Sequence, residues 1–291
     1  MVQVLRRTLE RRGRIRTHTR KAPPVTQIGQ GSTEFRVELP SVATTLTLAW
    51  AALTDVGHRR EVNEDSLLAA PPLFAVADGM GGHSAGDVAS GAVVTRLAEL
   101  SGTLVAEAGS IDRALALAVE DMAQGVGVTD QGTGTTVTGV ALALVSDAVS
   151  WIVYNIGDSR VYRLTGGVLE QITNDHSVVQ ELVDAGRITR EEADVHPHGN
   201  IITRAVGFHE PPIPDYRILP IQAGMRILVC SDGLTKELTS YGIRHFLLEQ
   251  KLAADAVAAM VTAALENGGR DNVTAIVIDV LAVEPYEASN T

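Results

Sequence analysis

Three apolar runs in this chain each end at an aspartate flanked by glycine or a small polar residue. Leu73 to Ala77 runs into Asp78-Gly79, Val153 to Ile156 into Gly157-Asp158-Ser159, and Ile227 to Cys230 into Ser231-Asp232-Gly233. A fourth aspartate, Asp271 in Gly269-Arg-Asp-Asn-Val-Thr274, opens an apolar run instead. Short apolar runs bounded by turn residues are of the buried-strand type, and a strand end fixes where a carboxylate stands. Taken singly, Asp-Gly is a common turn dipeptide. Several such carboxylates brought to one place form a set of hard oxygen donors, which suits Mg²⁺ or Mn²⁺ better than zinc. The pattern implies a metal-dependent hydrolytic site.

The 291 residues, 45% hydrophobic and 20% charged, are enough for one large domain with a full core. The single cysteine, Cys230, excludes an intramolecular disulfide and suits a reducing compartment, so a cytoplasmic location is expected. No stretch approaches the roughly 18 apolar residues of a membrane helix, and the arginine-rich start lacks the apolar core of a secretory signal. Charge is uneven. Residues 1–21 carry eight basic side chains against one acid, a net +7, so the rest of a chain of net charge −11 carries −18. Such a tail either docks on an anionic partner or is a solvated leader, and the second reading is preferred. Pro23-Pro24 and scattered Gly, Ser and Thr make residues 22–45 read as a linker. The expected organisation is a basic tail and linker over 1–45, a globular domain over 46–282, and a short tail over 283–291.

Within that domain, Thr45 to Leu53 and Leu73 to Ala77 read as strands, and His83 to Ala108 and Ile111 to Gln124 as helices. Thr135 to Leu144, Ala148 to Ile156, Arg160 to Leu164 and Val168 to Ile172 form a run of strands, with hairpin signals at Ser146-Asp147 and Gly166-Gly167. Arg217 to Leu219, Met225 to Cys230 and Asn272 to Leu281 supply later strands, and Tyr241 to Leu248 and Leu252 to Glu266 later helices. Strands in groups with helices between groups indicate an α+β fold with antiparallel sheets.

The motifs Thr54-Asp-Val-Gly-His-Arg-Arg-Glu-Val-Asn-Glu-Asp-Ser66, Ala77-Asp-Gly-Met-Gly-Gly-His83, Gly132-Thr-Gly-Thr-Thr136, Gly157-Asp-Ser-Arg160, Cys230-Ser-Asp-Gly-Leu234 and Arg270-Asp-Asn-Val-Thr274 stand in the order and spacing of one family. The chain resembles the bacterial metal-dependent serine/threonine protein phosphatases of the PPM, or type 2C, family. The likeness covers roughly residues 47–280, and residues 175–207 resemble the flap of the bacterial members.

The resemblance implies an α-β-β-α sandwich of two antiparallel sheets, with a flap beside the metal site. It implies two Mn²⁺ or Mg²⁺ ions, bridged by Asp78, with the carbonyl of Gly79 holding one and Asp232 and Asp271 the other. Asp158 joins Asp232 at a third, weaker ion. Glu64 and Asp65 orient water, and Arg60 grips the substrate phosphate as a planar, permanently charged fork. The implied reaction is hydrolysis of phosphoserine and phosphothreonine on proteins by a metal-activated water, opposing bacterial Ser/Thr kinases. Asp78, Asp232 and Arg60 carry the chemistry. Partners are therefore phosphorylated proteins, namely such kinases and their substrates, with no nucleic acid and no membrane span, and the chain is expected to be a monomer.

Three further residues are of a type that could carry chemistry. His83 is a candidate general acid, with a helix-start role preferred, and His176 stands similarly against a flap hydrogen bond. Cys230 could suggest the thiolate phosphatases, but the position six residues on is Lys236 rather than arginine, and a buried thiol is the better reading. Two rival classes are a pseudophosphatase that binds without turnover and the related branch acting on anti-sigma antagonist phosphoserine.

Overall fold

The computed structural model describes residues 25–81, 85–125, 133–193, 196–208 and 211–286. The strands in chain order are β1 (Gln27–Gly29), β2 (Ser32–Leu39), β3 (Thr44–Asp55), β4 (Asp65–Ala70), β5 (Leu73–Met80), β6 (Gly134–Thr135), β7 (Val137–Val145), β8 (Ala148–Ile156), β9 (Arg160–Thr165), β10 (Val168–Gln171), β11 (Asp215–Pro220), β12 (Arg226–Cys230) and β13 (Val273–Pro285). Helices α1 (Gly86–Ala98) and α2 (Ala108–Gly125) follow β5. The short α3 (Val178–Asp184) and α4 (Arg190–Ala193) lie between β10 and β11, and α5 (Asp232–Thr235), α6 (Ser240–Glu249) and α7 (Ala253–Asn267) separate β12 from β13.

One sheet runs β1-β4-β5-β7-β8-β11, with β6 paired to β5, and the other runs β10-β9-β12-β13-β3-β2. Every pairing within them is antiparallel except β1 with β4, which is parallel. The two-residue period of a strand explains the layers. On β5, Phe74 and Val76 enter a core shared with Trp151, Ile227 and Ile276, between the sheets, while Leu73, Ala75 and Ala77 pack with Val93, Leu97 and Leu115 of α1 and α2. On β12, Ile227 and Val229 face the first sheet, and Leu228 and Cys230 pack with Met260 and Val261 of α7. Strands buried on both faces read as unbroken apolar runs, and these are the runs that end at Asp78 and Asp232. The result is the expected four-layer α-β-β-α sandwich.

The linker expected over 22–45 is corrected where it is described. Residues 27–29 and 32–39 are strands that close the outer edges of both sheets, β1 on β4 and β2 on β3. Trp50 binds the crossing between them, its Nε1 donating to Gln30 O at 2.8 Å, and its ring packs edge-on against Phe35. The alternation was hidden because most of β2 is exposed and only Val37 and Leu39 are buried. The C-terminal boundary also moves, since β13 continues to Pro285 and Tyr286 N donates to Ala43 O. No helix among the described residues is long and apolar enough to cross a membrane.

A truncation experiment follows from these edges. Deleting residues 1–24 keeps both strands and serves as the reference. Deleting 1–45 also exposes the partners of Val37 and Leu39, each worth about 1.5–3 kcal/mol, and should lower the midpoint by at least roughly 6 °C. Equal midpoints for the two deletions would show that the strands contribute nothing to stability.

Candidate metal centre

In the β4–β5 register Asp65 stands directly opposite Asp78. Two like charges across an antiparallel pair are unfavourable; Asp65 is buried and Asp78 half-buried, so water screens them weakly. Asp65 is 1% exposed; its Oδ2 accepts from Thr274 Oγ1 at 2.6 Å and Ser231 Oγ at 2.9 Å. Those hydroxyls come from the second sheet, so Asp65 joins the two sheets at this end. Burial pushes its carboxyl up to about 7, with the charges of Asp232 and Asp271 adding to the effect and the two hydroxyl donors opposing it. Asp78 is driven well above the usual carboxylate range by burial and then by Asp65, Asp232, Asp158 and Asp271. Asp158 rises to about 7, from burial first and Asp232 second.

The backbone around Asp78 is held by the Gly132-Thr136 motif. Thr136 Oγ1 accepts from Asp78 N at 3.0 Å, Thr136 N and Thr135 Oγ1 both donate to Asp78 O, and Thr136 Oγ1 meets Ser159 Oγ at 2.9 Å. Thus the threonines are scaffold for Asp78 and for the Asp158 turn. Gly79 N donates to Glu64 O at 3.1 Å, and a Cβ at residue 79 would lie 2.1 Å from Gly86 O, so only glycine fits between Glu64 and the start of α1.

Asp232 opens α5 and Asp271 precedes β13, from the facing sheet. Asn272 ties the Arg60 loop to them: its Nδ2 donates to Val56 O and Val62 O, and its Oδ1 accepts from Glu64 N. The Arg60 guanidinium makes a two-point pair with Asp271, Nε to Oδ1 at 2.8 Å and Nη2 to Oδ2 at 3.0 Å, with its side chain 49% exposed at the rim. Arg59 is exposed and has no ion pair among the described residues. Sequence reasoning passed over one cation, Lys236, which ion-pairs Asp232 and lies 3.7 Å from Asp271 Oδ2. Its signal was present as the one-turn spacing from Asp232, but α5 has only four residues and shows no periodicity.

Arg60, Asp158, Asp232 and Asp271 line a cleft of about 760 Å³ whose other wall includes Gln180 and Arg190 of the 175–207 segment. Among the described residues, no three acidic, histidine or cysteine side chains stand close enough together to hold a metal ion as they are. The donor set nonetheless fits hard divalent cations. The set is all oxygen, and Asp65 Oδ1 and Asp232 Oδ1 are buried with no hydrogen-bond partner among the described residues. His83 lies outside the described residues. His176 is 5% exposed with both ring nitrogens engaged, as a flap hydrogen bond requires. Cys230 is fully buried, its thiol pushed up to about 12 by burial, so it is no nucleophile.

The profile of the protein phosphatase 2C family matches residues 54–267. The chain belongs to this family. It is 41% identical over 244 residues to the serine/threonine protein phosphatase PstP of Mycobacterium tuberculosis, a match that covers 81% of this chain and 46% of that protein. This type 2C chain thus spans about half the length of that relative. It is 34% identical over 241 residues to the serine/threonine phosphatase stp of Listeria monocytogenes, covering 78% of this chain and 93% of that one. Among solved structures, the catalytic domain of PstP in complex with two manganese ions superposes with a TM-score of 0.71 at 37% identity, covering 81% of this chain and 99% of that one.

Proposed function

We propose that this type 2C chain hydrolyses phosphoserine and phosphothreonine on proteins in the cytoplasm, opposing Ser/Thr kinases. The observation that carries the reading is the gathering of Asp65, Asp78, Asp158, Asp232 and Asp271 at one end of both sheets, with Arg60 at the rim. A phosphomonoester dianion is repelled by such a cluster unless cations invert its charge. Bound Mn²⁺ or Mg²⁺ would supply that inversion and acidify a water for attack on phosphorus.

The remaining roles belong to the chain. Asp78, the Gly79 carbonyl, Asp232 and Asp271 would hold the core ions. Asp158, electrostatically close to Asp232, would help hold a third, weaker ion. Glu64 and Asp65 orient water from behind the ligands. Arg60 presents two parallel N–H groups, a geometry that now pairs with Asp271 and matches phosphoryl oxygens equally well. Since the 175–207 segment forms the opposite wall of the cleft, substrate choice resides there. A pseudophosphatase is disfavoured because each acidic position of the family pattern is occupied by an acid.

Phosphate release from a phosphothreonine peptide, with Mn²⁺, Mg²⁺ or EDTA, tests the reading. The intact chain should turn over with either metal and stop in EDTA, and Asp232→Ala should remove turnover. Binding of the peptide with no release under any metal would instead establish a phosphoprotein-binding pseudoenzyme.

A further inference from the structure

Asp158 sits in a turn that other residues hold in place. Gly157 has φ +111, a region that favours glycine, and a Cβ there would lie 2.5 Å from Thr136 Cγ2. One residue holds this glycine at both of its peptide groups, once through its backbone and once through its ring. His176 N donates to Gly157 O at 2.9 Å, and Gly157 N donates to His176 Nδ1 at 3.1 Å. A ring nitrogen that accepts from an amide carries no proton, so the proton of the neutral imidazole is on Nε2. Nε2 then donates to Asp215 Oδ2 at 3.2 Å, and Asp215 Oδ1 accepts from Arg204 Nη1 at 2.7 Å.

The same histidine closes the base of the segment that walls the cleft. Thr203 N donates to His176 O at 2.8 Å, Val178 N donates to Ile201 O at 2.9 Å, and Ser177 bridges to Ile202. His176 therefore has contacts in three directions: the turn that presents Asp158, the base of the 175–207 segment, and β11 through Asp215.

We propose that His176 is a positioning residue that sets where the Asp158 carboxylate stands relative to Asp232, and so governs the weaker metal position and couples it to the cleft wall. The proposal rests on the reading of Asp158 as a ligand given above. Gly157 O is held by the His176 backbone N–H and by Asn155 Nδ2 at 3.0 Å, neither of which needs the imidazole. The ring's decisive contact is the one through Nδ1, because it alone ties the imidazole to the turn, at Gly157 N. The Nε2 contact to Asp215 only steadies the ring.

Two isosteric substitutions in the full chain separate these contacts. An asparagine amide oxygen can take the place of Nδ1, and a glutamine amide reaches the place of Nε2. Mn²⁺ binding, followed by the electron paramagnetic resonance signal of free ion, is compared for the intact chain, His176→Asn and His176→Gln, alongside the thermal midpoint in EDTA and phosphopeptide turnover. We expect His176→Gln to weaken the weakest Mn²⁺ step by about tenfold or more, as loss of a residue behind a metal ligand does, while His176→Asn stays within about threefold of the intact chain at a similar midpoint. Equal Mn²⁺ isotherms for the two variants, or a loss that follows the drop in midpoint alone, would overturn the proposal and leave His176 a fold residue. A split in the isotherms without turnover by any of the three proteins would support the positioning role and reject the phosphatase reading instead.

Discussion

Asp78→Asn should abolish metal-dependent turnover and at the same time make the EDTA-treated chain harder to unfold. Asp78 faces Asp65 across the strand pair and feels Asp232, Asp158 and Asp271 as well, with the burial or half-burial of each weakening water's screening. Removing one charge relieves every one of those repulsions. The substituted amide keeps the shape, and it offers N–H donors to a cluster in which Asp65 Oδ1 and Asp232 Oδ1 have no hydrogen-bond partner among the described residues. A gain of about 1 kcal/mol would raise the midpoint by roughly 2–4 °C for a domain of this size. Turnover should fall on the order of 10³-fold or more, since loss of the shared ligand forfeits several kcal/mol of charge stabilisation and each ~1.4 kcal/mol is a factor of ten. Calorimetric scans in EDTA and phosphate release in Mn²⁺ check the two halves separately. Inactivity accompanied by a lower midpoint would make Asp78 a structural residue and defeat the reading of the cluster.

That opposition between stability and function explains which features the sequence displayed. Asp78 and Asp232 were visible because each interrupts an apolar run buried on both faces, an environment where an acid is out of place. Their convergence was not visible in the same way, because it depends on register: Asp65 opposite Asp78 is a property of the β4–β5 pairing. Asp65 also opens β4, a strand left out of the sequence reading although five of its six residues are buried. β1 and β2 were hidden for the reverse reason, as edge strands whose exposed residues give no apolar run. The bonds that Thr135 and Thr136 make to the Asp78 backbone appear only once β6 is seen against β5. Lys236, which lies within reach of both Asp232 and Asp271, was marked only by its one-turn spacing from Asp232, beside a helix too short to show periodicity.

Arg226→Ala should be the most destabilising of the substitutions considered, costing about 3–5 kcal/mol and lowering the midpoint by roughly 6–20 °C, with turnover per folded molecule unchanged. Arg226 and Asp279 are opposite one another in the β12–β13 register, each 8% exposed, and pair through Nε to Oδ1 at 2.5 Å and Nη2 to Oδ2 at 2.8 Å. The guanidinium also donates to Leu247 O, Gln250 O and Lys251 O, satisfying carbonyls where α6 ends. Truncation would leave Asp279 as a buried, unpaired charge and free those carbonyls together. Because a buried pair is weak evidence of net stabilisation, a second variant is informative: Arg226→Met with Asp279→Leu should recover a substantial part of the loss, leaving mainly the cost of the α6 carbonyls. Denaturant melts of the three proteins measure this, and a single-variant loss below about 1 kcal/mol would refute the network. The contrast with Asp78 is physical. At Asp279 the burial of an acid is compensated within the chain, by a matched guanidinium, and serves the fold. At the strand ends the surrounding acids far outnumber the two cations that reach them, and the compensation that is missing there is the kind a divalent ion provides.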